Sequence, residues 1–290
     1  MKQEDRRKYL INGLLKERPE YENMQIPSDA GEQKILLRSL MNIRMPGEKE
    51  SAFLQIQDSY LLEENEKKGI VALADMEEVQ PDLYIWKGDI TRLGVGAIVN
   101  AANSGMTGCY QPCHNCIDNC IHTYAGIQLR NYCSNMMMKQ NHEEPTGQAK
   151  ITPAFNLPCD YVIHTVGPIV QGKLTKEHER VLISCYESCL RIAEENEVKS
   201  IAFCCISTGV FMFPNKRAAE LAVQTVKQYK EREKSKIKVI FNVFKEEDER
   251  LYRQLLGQNI TDKRKNRGSR RCRNRGRCGI FHISRLCVYR

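Results

Sequence analysis

No apolar run in this 290-residue sequence reaches signal-peptide or membrane-spanning length, and the first residues, MKQEDRRKY, are polar and charged. Those absences predict a cytoplasmic chain with no membrane partner and with reduced thiols. Its thirteen cysteines therefore read as metal ligands or core residues before disulfides. Most of the chain also lacks an excess of positive charge. The formal +8 arises in residues 259–290, which carry +10, while the remainder stands at −2. That balance excludes a basic nucleic-acid-binding body. The tail has no sustained hydrophobic period and is expected to be disordered; nucleic acid or an anionic surface could engage the chain only there. Its Cys272, Cys278 and Cys287 lack metal-ligand spacing.

What the sequence does contain is concentrated at 108–122, GCYQPCHNCIDNCIH. Cys109, Cys113, His114 and Cys116 fall within eight residues, and Asp118 follows two positions later. Sulfur and imidazole are ligands that zinc prefers, and a catalytic zinc keeps one position open beside three protein ligands. A closed four-ligand zinc clip, or thiols without metal, remain alternatives on spacing alone. Adjacent residues rarely point at one ion, so Cys113 and His114 are not expected to bind together.

The organisation around this segment has three parts. Residues 1–76 read as a helical extension, because Leu10, Ile11, Leu14 and Leu15, then Ile35, Leu36, Leu40 and Met41, then Phe53, Leu54, Tyr60 and Leu61 recur at helical spacing. Asp29 and Glu32 resemble a capping box, and Pro46-Gly47 marks a break. This extension is expected to pack on the main domain and to carry no chemistry. Residues 77–258 alternate short apolar strands (83–86, 97–100, 161–165, 201–206, 237–244) with helices (117–132, 178–195, 215–229), the pattern of an α/β sheet covered on both faces. Residues 259–290 form the tail. Cys185 and Cys189 are read as core thiols, and Trp86, Phe203 and Phe244 as core aromatics. His122 is read as a satisfied core histidine or one supporting the site, and His164 as structural.

Ligands of α/β folds gather where strand ends meet helix starts. Three such loops are informative. Gly88-Asp89-Ile90-Thr91 offers a carboxylate, although the same residues make a helix cap. Asn100-Ala101-Ala102-Asn103 offers two amides beside small residues. Ser207-Thr208-Gly209-Val210-Phe211 forms a turn entering a helix, where backbone N–H groups can meet a phosphate.

The ordered set GDIT, VNAANS, CIDNCIHTYAG and CISTGVFMFP resembles the macrodomain, a three-layer α/β/α module with a mixed central sheet that binds ADP-ribose. The Cys/His insertion resembles that of the zinc-containing protein-ADP-ribose hydrolases of the MacroD-like family; where MacroD-type relatives hold a glycine-rich loop, this sequence reads GCYQPCHNC. The resemblance spans residues 1–258. It implies one zinc ion on Cys109, His114 and Cys116, with Cys113 left out. It further implies that Asp89 meets the adenine amino group, that Ile90 lies by the diphosphate, and that Asn103 holds the distal ribose. Cys116, Ile117, Asp118 and Asn119 would line the ribose, and Ser207, Thr208, Gly209, Val210 and Phe211 would wrap the phosphates. Asp118, with Asn103 and Asn119, would carry catalysis on a mono-ADP-ribosylated protein, as an ester on an acidic side chain. A non-catalytic ADP-ribose reader with structural zinc is the alternative, and a thiol-based oxidant sensor a third class.

Overall fold

Helices α1 (Gln3–Leu15), α2 (Ala30–Ile43) and α3 (Ser51–Lys68) form first along the chain. The computed structural model describes residues 1–21 and 23–257, so the expectation for the 259–290 tail lies outside the described residues. Each helix turns an apolar stripe inward: Leu10, Ile11, Leu14 and Leu15 from α1, Leu37, Leu40 and Met41 from α2, and Phe53, Tyr60 and Leu61 from α3 make one core cluster. Ile127, from beyond the extension, belongs to the same cluster. The stripe on α2 differs from the expected one, since Ile35 is 61% exposed and Leu37 takes the inward position. Asp29 caps α2 by accepting from the Glu32 N–H.

The strands are β1 (Val71–Ala72), β2 (Glu77–Gln80), β3 (Leu83–Lys87), β4 (Leu93–Gly94), β5 (Ala97–Ala102), β6 (Ala149–Pro153), β7 (Tyr161–Val166), β8 (Ser200–Phe203) and β9 (Lys238–Val243). β1 and β4 pair as a small parallel ribbon, and the other seven form a mixed sheet in the order β2-β3-β9-β8-β5-β7-β6. The five inner strands run parallel and the two outer ones antiparallel. The inner strands are nearly continuous apolar runs, as burial on both faces requires. The edge strands EEVQ and AKITP lack that signature, which is why the sequence pattern passes over them.

The remaining helices are α4 (Ile117–Ala125), α5 (Ile127–Gln140), α6 (Lys176–Glu195), α7 (Asn215–Glu233) and α8 (Glu246–Leu255). Side chains alternate across a strand, and β7 shows the two layers. His164 approaches Cys133 of α5, whereas the side chain of its neighbour Thr165 meets Cys185 on α6. Cys185 and Cys189 are both fully buried core thiols, and His164 is fully buried too. None of the helices is long and apolar enough to cross a membrane among the described residues.

Two further sequence expectations change. The single helix 117–132 is two helices, because Gly126 adopts φ +97°, where a Cβ would meet the Gln57 and Gln128 side chains at 2.7 Å. Phe244 is not core: β9 ends at Val243, and Phe244 is 76% exposed beyond it. Phe203 is buried and Trp86 half-buried.

Arg130 on α5 ties the extension to the sheet domain. It is 5% exposed, and Nη1 donates to the carbonyls of Met41, Asn42 and Arg44 at the C-terminal end of α2, while Nε donates to Thr107 O. A cation at a helix C-terminus satisfies carbonyls that have no partner within the helix. Arg130→Met keeps the volume and strands those carbonyls, so it should lower stability by about 3 kcal/mol, read as a reduced urea midpoint with an unchanged m-value.

Candidate active site

The parallel strands β3, β9, β8, β5 and β7 place their C-terminal ends along one sheet edge, and the loops after β3, β5 and β8 gather there. In the first loop Asp89 accepts through Oδ1 from the Thr91 N–H (3.0 Å) and hydroxyl (2.7 Å). Its other oxygen stands 3.6 Å from Lys68 Nζ of α3. Burial lowers Lys68 to about 8, against the pull of Asp89, and its ammonium lies over the Tyr124 ring. Ile90 is buried behind the carboxylate.

In the third loop Ser207 takes φ +64° and its buried hydroxyl has no partner. Gly167 makes room for it, because a Cβ there would sit 2.1 Å from Ser207 Oγ. Met212 N–H donates to Gly209 O and Phe213 N–H to Ser207 O, closing the turn. Val210 is 71% exposed at its tip, whereas Phe213, at 1% exposure, belongs to the core and does not reach a ligand.

Between these loops lies Asp118, 5% exposed, in the first turn of α4. Asn100 Nδ2 donates to its Oδ1 (2.8 Å) and Asn103 Nδ2 to its Oδ2 (3.2 Å). Burial raises the carboxyl to about 6, opposed by the Asn100 bond and by Arg130. The Asn100 amide also stands 3.1 Å from His164 Nδ1, so that nitrogen accepts and the ring proton sits on Nε2, 3.0 Å from Thr152 Oγ1. His122 approaches Asp118 Oδ1 at 3.6 Å, too far for a hydrogen bond. Burial holds its imidazole neutral, well below the usual histidine range, and both nitrogens are unpartnered. It is buried as expected but not satisfied. His122, Cys133 and His164 also lie close enough to share an ion, yet the His164 tautomer commits Nε2 to Thr152.

The cysteine and histidine loop precedes α4, and Cys116 is that helix's N-cap. The donor atoms of Cys109, His114 and Cys116 all lie within 4.8 Å of one another, with Cys109 Sγ 3.7 Å from His114 Nδ1. Tetrahedral zinc, with Zn–S about 2.3 Å and Zn–N about 2.0 Å, separates sulfur and nitrogen ligands by about 3.6 Å, so these donors fit one ion. Burial pushes the Cys116 thiol up to about 12; a cation must reverse that shift for it to ligate. Cys113 stands outside the set. Its backbone is left-handed at φ +52° and its Sγ faces Ser39 Oγ at 3.2 Å.

Residues 99–222 match the Macro domain family. The chain is 60% identical over 260 residues to a protein-ADP-ribose hydrolase of Treponema medium, covering 88% of this chain and all of that one. This chain belongs to the macrodomain family, among its protein-ADP-ribose hydrolases. A protein-ADP-ribose hydrolase of Staphylococcus aureus is 42% identical over 255 residues, 87% of this chain and 96% of that one. In three dimensions the macrodomain resembles the Trypanosoma brucei macrodomain in complex with ADP-ribose, with TM-score 0.58 and 26% identity over 76% of this chain and 95% of that one. The Oceanobacillus iheyensis macrodomain with ADP gives TM-score 0.55 and 34% identity over 62% and 93% of the respective chains.

Within this macrodomain the expected site residues fall on two adjoining groups. Asp118 and Asn103 bond directly, with Asn100 joining them, while Asp89, Ile90 and 207–211 occupy neighbouring loops on the same edge. Asn119 is placed differently from the expected ribose contact. It is fully buried, its Nδ2 donates to Gln111 O (2.9 Å) and Cys109 O (3.3 Å), and its Oδ1 accepts from Arg38 (2.9 Å). Its polar atoms are thus occupied within the protein, and it supports the loop. Sequence reasoning missed Arg38, Asn42 and Lys68, which reach the site from helices read only for their apolar stripes. It also gave Asn100 no distinct task.

The ligand assignment can be checked by loading the protein with Co²⁺. Cys109→Ser and Cys116→Ser should each remove thiolate-to-cobalt absorption, and Cys113→Ser should keep it. Loss of the band in Cys113→Ser would place that thiol on the metal.

Proposed function

We propose that this macrodomain is a zinc-dependent hydrolase that removes single ADP-ribose groups from proteins modified on acidic side chains. Membership among the protein-ADP-ribose hydrolases supports the activity. The observation that carries the mechanism is Asp118: a buried carboxylate held through both oxygens by amides, two residues beyond a candidate metal ligand. ADP-ribose would lie along the sheet edge, its adenine at Asp89, its diphosphate over 207–211 and its distal ribose against Asn103 and Asp118.

Asn100 and Asn103 fix the carboxylate plane, and burial makes it a stronger base than a solvated aspartate while leaving it ionised at neutral pH. Asp118 then takes a proton from a water whose oxygen bonds to the ester carbonyl carbon; the bond from that carbon to the ribose oxygen breaks, Asp118 returns the proton to the ribose oxygen, and ADP-ribose and the free carboxyl group leave. His122, neutral and without a hydrogen bond to Asp118, does not share the proton. Zinc on Cys109, His114 and Cys116 would supply Lewis acidity toward a ribose hydroxyl or the ester carbonyl, and lower the pKa of a bound water.

The test is release of ADP-ribose from a protein mono-ADP-ribosylated on glutamate. Asp118→Ala should slow release by about 10² to 10⁴-fold with ADP-ribose affinity, read by calorimetry, retained. A wild-type rate in that variant would remove Asp118 from catalysis. Tight binding without release by the wild type would make the protein a reader, and equal release from arginine-linked substrate would remove the preference for acidic side chains.

A further inference from the structure

The helical extension was expected to pack against the main domain and do nothing else, but one face of α2 is polar where it meets the loop that holds Cys109, His114 and Cys116. Arg38 and Asn42 stand one helical turn apart on α2 and face Asn119 and Thr123, one turn apart on α4. Arg38 Nη2 donates to Asn119 Oδ1 (2.9 Å), and Asn42 Nδ2 donates to Thr123 Oγ1 (2.9 Å), making two rungs between the helices. Each rung also takes hold of the loop. Arg38 Nη2 donates to the His114 carbonyl (2.7 Å), and Asn42 Oδ1 accepts from the Cys113 N–H (2.9 Å).

The loop needs such outside anchors. It runs through a left-handed Cys113, and its internal backbone tie is a single bond from His114 N–H to Gln111 O. Asn119 holds the other side through the carbonyls of Cys109 and Gln111. An amide can turn over, exchanging its oxygen and nitrogen. The Arg38 donor on Asn119 Oδ1 decides the matter, leaving Nδ2 aimed at the loop. One guanidinium nitrogen therefore acts on the loop twice, directly at His114 and through Asn119 at Cys109. The same nitrogen also lies 3.6 Å from Cys120 Sγ, a weaker acceptor than the two oxygens, and Nε is buried without a partner.

We propose that Arg38 is a positioning residue: from the extension, it sets the main chain at His114 and the amide of Asn119, and so fixes the Cys109–His114–Cys116 donors beside Asp118. The inference rests on reading that loop as part of the active site. On this account the extension completes the site, and the macrodomain alone would hold a loose one.

The experiment uses the full chain with Arg38→Met, which keeps the length of the side chain without a donor, and Arg38→Lys, which returns a cationic donor. Four quantities are read: amide hydrogen exchange across 109–116 with α6 as the internal reference, release of zinc to a chelator, kcat and KM on the ADP-ribosylated protein, and ADP-ribose affinity. Arg38→Met should speed exchange in 109–116 alone. Zinc release should quicken, and kcat fall, by about 10 to 100-fold, the usual effect of losing a group that orients a metal ligand. KM and ADP-ribose affinity should stay within about threefold, since the adenine and diphosphate would be held by the other loops, at Asp89 and 207–211, and Arg38→Lys should recover part of each loss. Unchanged exchange and zinc release in Arg38→Met would overturn the proposal. So would a loss in which α6 exchange speeds up and ADP-ribose affinity falls in step with kcat, because that pattern describes glue between the extension and the core. Should the wild type release no ADP-ribose, the hydrolase reading fails separately, and loop exchange and zinc release still decide the role of Arg38.

Discussion

A carboxylate almost shut off from water is the costly element of this structure, and much of the site's architecture answers it. An ionised carboxylate in a dry setting is unfavourable unless donors replace the lost water. Asp118 receives two, from Asn100 at the end of β5 and Asn103 just beyond it. Each donor must itself be fixed. Asn100 is oriented by His164, whose tautomer is set in turn by Thr152 on the edge strand β6. Asn103 is held by the Gly108 carbonyl and the Gly105 amide at the start of the cysteine and histidine loop. The chain of dependence crosses the sheet from its edge to the loop.

The same logic explains why the loop and the extension are inseparable. The loop is polar, contains a left-handed cysteine, and must place three soft donors within a few ångströms. Neither helical nor sheet hydrogen bonding supports it. Support comes from buried and half-buried side chains on both sides: Asn119 and Arg130 from the sheet domain, Asn42 and the half-buried Arg38 from α2. Arg130 is bound at both ends, to the carbonyls closing α2 and to Thr107 O.

What the sequence made legible follows from what leaves a periodic or compositional trace. The inner strands are apolar throughout and stand where expected, because burial on both faces admits few other residues. The edge strand EEVQ and the break at Gly126 left no such trace: one is polar because half of it faces water, and the other depends on a single backbone angle. Phe244 was misread because a β-rich run does not reveal where pairing stops. In the site, the chemically distinctive residues were visible from spacing and family pattern, and the structure gathers Cys109, His114, Cys116, Asp118 and Asn103 in one neighbourhood. The supporting residues were not visible. Arg38 and Asn42 look like ordinary polar positions on an amphipathic helix, and only the packing of α2 on α4, about 80 residues away in sequence, gives them partners. Asn119 was read toward the ligand, whereas its amide is engaged within the protein by Arg38 and the carbonyls of Cys109 and Gln111, because an amide beside a buried carboxylate can serve either the ligand or the fold.

The order in which these parts leave the ribosome adds a consequence of its own. The three extension helices emerge first, and their apolar cluster includes Ile127, which is made some sixty residues after α3 ends. The carbonyls at the end of α2 likewise wait for Arg130. A nascent chain therefore carries a bundle with one wall missing until α5 has been synthesised, and over that interval its exposed apolar face is the segment most open to chaperones or to misassociation. Closure of the bundle and bracing of the cysteine and histidine loop then coincide, so a chain that has finished its N-terminal core has also, in the same event, fixed the segment that leads into Asp118.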